Sequence, residues 1–333
     1  VAGGRRDRPL IGRFVIVPVQ LDQRINVGFI SLVDVFLIYT LEKTPMQPFA
    51  PAKKNDPRVL NDDQVSFFFE NGYLVLPKLF TDDEVAAVTT AVDRAWADRS
   101  IYNNLTVSAY TGTAKYVETY LRNVDAAARD IQHKLNHLYL YDPRVLDLLY
   151  QDKLHGVLAE LLDGTPLLFN GLNMEHGTEQ RMHIDTFYMP PRTFGKMVAT
   201  WLALEDIHPD SGPLSYYPKS NQIPAYKFSH GHIWALHDEM PAFDAYYDQE
   251  LAKRQLKPEG FCPKKGDVFI WHAQLYHGGG KINDRALTRR SMVNHFWTYE
   301  DYRDDAVEVR PGKFMLGRER MFVAANFVER PTA

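Results

Sequence analysis

His183 and Asp185 stand two positions apart in the stretch "EQRMHIDTFYMPP", inside an apolar and aromatic run. Side chains at i and i+2 of a β-strand point to one face, so an imidazole and a carboxylate would converge there on a single point, and a divalent metal is one possible occupant. Taken alone the pair has a blander reading, an interior histidine followed by a turn or capping aspartate. A metal site needs a third ligand from another strand. His277, in "IWHAQLYHGGGKIND", ends a strand immediately before three glycines, where the backbone can turn sharply and a side chain can face an open cavity. Other histidines serve less well. His133 and His137 in "HKLNH" have the i,i+4 spacing of a helix, but no glutamate follows the first of them. His230 and His232 flank a glycine in a predicted loop, and His272 lies in the apolar part of its strand as a packed neighbour.

Two histidines, one carboxylate and open positions form the facial triad of non-haem Fe(II) oxygenases. Downstream, "NDRALTRRSMVNHFW" begins another strand with Arg289 on the face shared by Ser291 and Val293. A solvated cation is the ordinary reading. Beside a metal, its planar guanidinium would instead hold the far carboxylate of a dicarboxylate cosubstrate.

The rest of the chain must supply a scaffold for these groups. Its 333 residues, 45% of them hydrophobic, suffice for one large domain with an attached region, and a net charge of −4 with no basic stripe gives no footprint for nucleic acid. Cys262 is the single cysteine, which excludes an intrachain disulfide framework and suits a reducing, cytoplasmic setting. Residues 1–57 read as an N-terminal extension and linker. Their apolar run "INVGFISLVDVFLIYTL" is short for a membrane span and carries Asp34 near its middle, so membrane association is not expected.

Residues 58–333 read as the functional domain, helical to about residue 164. "NDDQVSFFFENG" predicts a helix with Asn61 as N-cap and Gly72 as its stop, and "GYLVLPKLF" a strand. Thr81 and Glu84 hold capping-box positions ahead of Val85, Val88, Val92 and Trp96 at helical spacing. A further helix is expected from Asp142 to Gly164. Beyond it, "TPLLFNGLNME", "RMHIDTFYM", "KMVATWLALEDI", "GPLSYYP", "GDVFIWHAQLYHGG" and "RRSMVNHFWTYE" each read as a strand, the texture of a sandwich or jelly-roll barrel. A mostly helical insert at about 229–260 interrupts them, and inserts at a barrel mouth often act as lids.

The order of these residues resembles the phytanoyl-CoA dioxygenase family of Fe(II)- and 2-oxoglutarate-dependent oxygenases. Besides "HID" and "HGGGKIND…RR", the likeness rests on "FFENGYLVLPKLFTDDEV" and "WLALEDIHPDSGPLSYYPKSNQ", and it covers about Asn61 to Thr298. It implies a mainly β double-stranded β-helix with flanking helices, iron on His183, Asp185 and His277, and the 5-carboxylate of 2-oxoglutarate on Arg289. Arg290 is the rival, and counting from Asn283 favours Arg289. Asn173 and Thr200 are further contacts to the cosubstrate by position. The implied reaction consumes O2 and 2-oxoglutarate, releases succinate and CO2, and hydroxylates an unactivated C–H bond of a small molecule. The carboxylate Asp185, intact here, argues for hydroxylation over halogenation, with desaturation and ring chemistry as alternatives.

Two departures stand out. "HGGGKIN" is one residue longer than the usual turn and places Gly279 where a serine is frequent, and "PKSNQ" has Asn221 where the family has a histidine. Phe187, Tyr188, Tyr216, Tyr217 and Trp234 could line a substrate pocket, with Arg192 and Lys196 meeting an anionic group; core aromatics and solvated cations are the alternative. Fold alone does not settle function: a jelly roll also serves as a non-catalytic ligand-binding module, or as a cupin-like metal enzyme that does not use 2-oxoglutarate.

Overall fold

The computed structural model describes residues 59–110 and 116–317, so the expected N-terminal extension lies outside the described residues. Helix α1 (Asp62–Asn71) starts at Asn61, whose side chain accepts the Gln64 N–H while Gln64 caps back, and ends at Gly72, where a φ of 82° suits glycine. Strand β1 (Tyr73–Leu76) leads to α2 (Asp82–Ala97), opened by the expected Thr81/Glu84 capping box and burying Val85, Val88, Val92 and Trp96. The expected helix over 142–164 is broken in two, α3 (Pro143–Leu149) and α4 (Asp152–Leu162), with Tyr150 and Gln151 between them.

The region before them is less helical than expected. Strands β2 (Thr106–Tyr110), β3 (Tyr116–Tyr120) and β4 (His133–Asn136) form an antiparallel group there. "HKLNH" therefore has a period of two. His133 points into the core against Trp96, and Lys134 to the opposite face.

Strands β5 (Pro166–Met174), β6 (Met197–Ala203), β9 (Val268–His272) and β11 (Ser291–Thr298) complete the large sheet, in the order β1-β9-β6-β11-β5-β4-β2-β3. The hairpin β12 (Ala306–Arg310) and β13 (Lys313–Leu316) joins it alongside β5. A smaller sheet holds β7 (Leu214–Tyr216), β8 (Glu259–Phe261) and β10 (His277–Gly279), ordered β10-β7-β8. Between them lies a core of Ala199, Trp201, Leu214, Tyr216, Phe269, Trp271 and Val293. The outer face of the large sheet, with Val198, Leu202, Val268, Ile270, Met292 and Phe296, packs on the helices. Each central strand thus buries both faces by alternation, which makes its sequence continuously apolar.

Two expected strands differ. "RMHIDTFYM" is no regular strand: His183 forms an isolated bridge with His277, and Asp185–Phe187 is a 3-10 turn. "GDVFIWHAQLYHGG" is two strands on two sheets, so His277 opens β10 rather than closing β9. Helix α5 (Met240–Lys253) is the helical part of the insert, and its Phe243 and Tyr247 pack with Ile184, Phe187 and Tyr276, each within two positions of Asp185 or His277.

Candidate metal centre

His183, Asp185 and His277 are all buried, and one ligand atom from each lies within 4.8 Å of the others. Asp185 Oδ1 is 3.6 Å from Nε2 of His183 and 3.6 Å from Nε2 of His277. Ligand atoms about 2.1 Å from one ion stand roughly 3 to 4 Å apart, so small adjustments would seat an ion among the three. The bridge between residues 183 and 277 explains the approach, because each backbone N–H donates to the other's carbonyl, at 2.8 and 2.9 Å.

Both rings are aimed by their far nitrogens. His183 Nδ1 lies 2.7 Å from the Arg181 carbonyl and His277 Nδ1 2.9 Å from the Leu275 carbonyl. A carbonyl can only accept, so each Nδ1 carries the proton and each Nε2 offers a lone pair. Burial pushes the His277 imidazole down to about 4, which keeps it neutral. Burial would raise the Asp185 carboxyl, but the surrounding imidazoles of His277, His295 and His183 hold it well below the usual carboxylate range. A carboxylate and two imidazoles fit Fe(II).

Asp185 Oδ2 has its own surroundings. The Trp271 indole donates to it at 2.8 Å, and His295 Nε2 stands 3.5 Å away. His295 was not singled out from sequence, although it lies six positions after Arg289 and so on the same strand face.

The glycines after His277 have a steric cause. A Cβ on Gly279 would meet the backbone nitrogens of Glu179 and Gln180 at 2.7 Å, and one on Gly278 would meet the Gln180 carbonyl at 2.8 Å. No serine hydroxyl fits at Gly279 because the loop bearing His183 passes directly over it.

Arg289 points inward and is 2% exposed. Its Nη1 donates to the Gly212 carbonyl at 3.0 Å, and its guanidinium carbon lies 5.8 Å from the centre of the Trp201 ring. Arg290 faces the other way, towards Glu175 at 3.3 Å, which Arg129 also grips through Nε and Nη2 at 2.6 and 2.7 Å. Lys134, read from sequence only as part of a helical "HKLNH", reaches the site. Its Nζ donates to Gln180 Oε1 at 2.8 Å, and the Gln180 amide nitrogen lies 3.4 Å from His183 Nε2. Burial pushes the Lys134 ammonium down to about 8; neighbouring Arg289 adds to this and Asp185 opposes it.

Asn173 and Thr200 are not brought to this site. Thr200 lies between Val198 and Leu202 on the outer face of β6, and Asn173, paired with Met292, lines a crevice beside Thr89 and Val92 of α2. Several expected pocket residues are also engaged elsewhere. Phe187 is packed on Phe243 at 4.1 Å, and Tyr216 donates to Glu259 at 3.0 Å. Arg192 donates to the Asp301 carbonyl at 2.6 Å and to Asp305 at 2.9 Å, while Lys196 caps the end of α4 through the Leu162 carbonyl at 2.7 Å. Trp234 stacks on His232 at 3.9 Å, and Tyr217 lies 5.8 Å from Tyr276. Tyr188 does approach the site, its ring centre 5.4 Å from that of His183.

Comparison with known proteins agrees with this geometry. A family model described as Phytanoyl-CoA dioxygenase (PhyH) matches residues 68–292. The peroxisomal phytanoyl-CoA dioxygenase of Rattus norvegicus is 24% identical over 245 residues, 72% of this chain and 69% of the rat protein. Among solved structures, EctD from S. alaskensis with 2-oxoglutarate and 5-hydroxyectoine superposes with a TM-score of 0.55 at 16% identity, over 77% of this chain and 82% of that one. The epimerase SnoN in complex with Fe3+, alpha ketoglutarate and nogalamycin RO gives 0.54 at 18% identity, over 71% and 83%. At these identities the structural likeness speaks for the fold, the double-stranded β-helix.

Proposed function

The chain belongs to the phytanoyl-CoA dioxygenase family, and on that premise we propose that it is an Fe(II)- and 2-oxoglutarate-dependent dioxygenase hydroxylating an unactivated C–H bond of a small-molecule substrate. The observation that carries this reading is the convergence of Asp185 Oδ1 with Nε2 of His183 and His277, all three residues being buried. Iron held by these three residues would supply the O2 and keto acid chemistry, with release of succinate and CO2.

This chain's own residues do the rest. Arg289, buried and facing inward with Trp201 beside it, offers a fork of N–H donors to the distal carboxylate of 2-oxoglutarate. Lys134 adds positive charge on the side of Gln180 and His183. Phe187, Tyr276 and the aromatic residues of α5 back the two ligand segments with a dry wall, which limits water at the oxidising centre. Gln180 donates towards His183 Nε2, so metal binding requires its amide to turn aside.

Residues 58–333 are the unit we assign to this activity. Among the described residues no helix is long and apolar enough to cross a membrane, and the lone Cys262 supports a reducing, cytoplasmic setting. The test is succinate formation from 2-oxoglutarate with Fe(II) and O2. Slow substrate-independent turnover that disappears in His277→Ala is expected; absence of 2-oxoglutarate consumption by the intact protein would refute the reading and favour a binding module.

A further inference from the structure

Asp185 presents two different oxygens. Oδ1 faces His183 and His277, whereas Oδ2 takes the Trp271 indole N–H at 2.8 Å and has His295 Nε2 at 3.5 Å. The far side of His295 determines which proton it carries. The Asn170 amide nitrogen is 3.1 Å from His295 Nδ1. An amide nitrogen can only donate, so Nδ1 accepts and Nε2, 3.5 Å from Oδ2, carries the hydrogen.

Asn170 reaches this place through a bulge. Register between β5 and β11 shifts between His295 and Phe296, where Phe169 is the additional residue of β5. His295 and Trp271 come from β11 and β9, the two strands flanking β6, and all three central strands bury both faces. The donors are thus built into central strands buried on both faces, while Asp185 itself sits on a short 3-10 turn.

We propose that His295, oriented by Asn170 and acting with Trp271, is a positioning residue that occupies Oδ2 of Asp185 and restricts this carboxylate to binding metal through Oδ1 alone. This rests on the metal-centre reading above. Its consequence is a matter of coordination: a carboxylate that swung both oxygens onto the ion would take one of the positions the facial triad leaves open. Partners of ligating groups typically govern affinity by about 10- to 100-fold when removed. The pair also explains why a histidine and a tryptophan are buried beside a carboxylate that needs only one oxygen for the metal.

The experiment uses the full chain and Mn(II), a stand-in that is stable to O2, with Co(II) absorption as a reporter of coordination number. His295→Leu removes the donor, His295→Gln returns an amide N–H at similar reach, and Trp271→Phe removes the indole donor while keeping an aromatic ring. Mn(II) binding in His295→Leu should weaken by about 10- to 100-fold, with a Co(II) spectrum shifted towards higher coordination. His295→Gln should recover most of the affinity, and Trp271→Phe should weaken binding in the same direction. Melting of each metal-free variant separates loss of fold from loss of positioning. Wild-type affinity and an unchanged Co(II) spectrum in both His295→Leu and Trp271→Phe would overturn the proposal, as would failure of His295→Gln to recover binding while it melts like the wild type. Intact protein that binds no Mn(II), or binds it as tightly after His277→Ala, would overturn the metal centre itself.

Discussion

Arg289 and Arg290 are neighbours in the chain and point to opposite sides of the same sheet. The guanidinium of Arg289 donates to the Gly212 carbonyl inside, while that of Arg290 turns outward to Glu175. Their backbones are pinned in this sense, since Arg289 N–H donates to the Glu175 carbonyl at 2.7 Å and the Leu204 N–H to the Arg290 carbonyl at 3.0 Å.

The two arginines should therefore separate in kinetics. Arg289→Ala is expected to raise KM for 2-oxoglutarate by about 10- to 100-fold, the loss of one or two charge-assisted hydrogen bonds. Arg290→Ala should leave that KM unchanged and cost under about 1 kcal/mol of stability, because Arg129 still grips Glu175 and Arg290 is partly solvated. Succinate assays and urea melts of the two variants check both statements.

Lys134 sets a pH dependence. Its ammonium is pushed down to about 8, so it is charged below that value and loses its charge above it. KM for 2-oxoglutarate should rise as pH is taken from 7 to beyond about 8, with bound dianion moving the break upward. Lys134→Met should have a raised KM that no longer varies over this range. Initial rates across pH in both proteins measure it.

Three buried histidines should make the fold acid-sensitive. Burial pushes His137, His272 and His277 each down to about 4, below the ordinary value near 6.5 in an unfolded chain. Between these values the unfolded state binds more protons, so their contribution is full above pH 6.5 and is lost as pH falls towards 4. Each adds a slope of up to about 1.4 kcal/mol per pH unit. His272→Asn, which keeps an acceptor for the Gln274 N–H, should flatten the dependence of the melting midpoint over pH 4–6.5.

Gly279→Ser tests the crossing beneath the ligand loop. The added atoms would force Glu179 and Gln180 away from β10, at a cost of roughly 1 to 3 kcal/mol, and draw His183 from His277. A lower melting temperature together with weaker metal binding is expected; unchanged metal affinity would show that the approach of the two segments does not depend on this glycine.

Thr200→Val and Asn173→Leu provide a contrast. Both side chains lie on the helix-facing side of the sheet, so neither substitution should move KM for 2-oxoglutarate, whatever it does to stability.

Much of the site was readable in the chain because its chemistry is written in residue types at short range. The His183/Asp185 spacing, the glycines after His277 and the arginine pair are local signals, as are the caps at Asn61 and Thr81 that delimit the first two helices. Two errors came from reading period without tertiary context. "HKLNH" looks helical at i,i+4, yet pairing of β4 with β2 and β5 makes it a strand and turns Lys134 inward. "HIDTF" alternates like a strand, yet its register ends at the single bridge to His277.

Residue types and spacing pointed to His183, Asp185 and His277 as a set able to hold a metal, to the family to which the chain belongs, and to a fold rich in antiparallel strands. Tertiary structure alone decided which face each central strand turns to the site. Strands buried on both sides carry apolar residues on both, so their pattern does not mark inside from outside. That is why Thr200 and Asn173 could be placed at the site from position and yet lie behind it. The same register brings His295 and Trp271 to the Asp185 carboxylate and Lys134 to Gln180 beside His183, three residues remote in sequence.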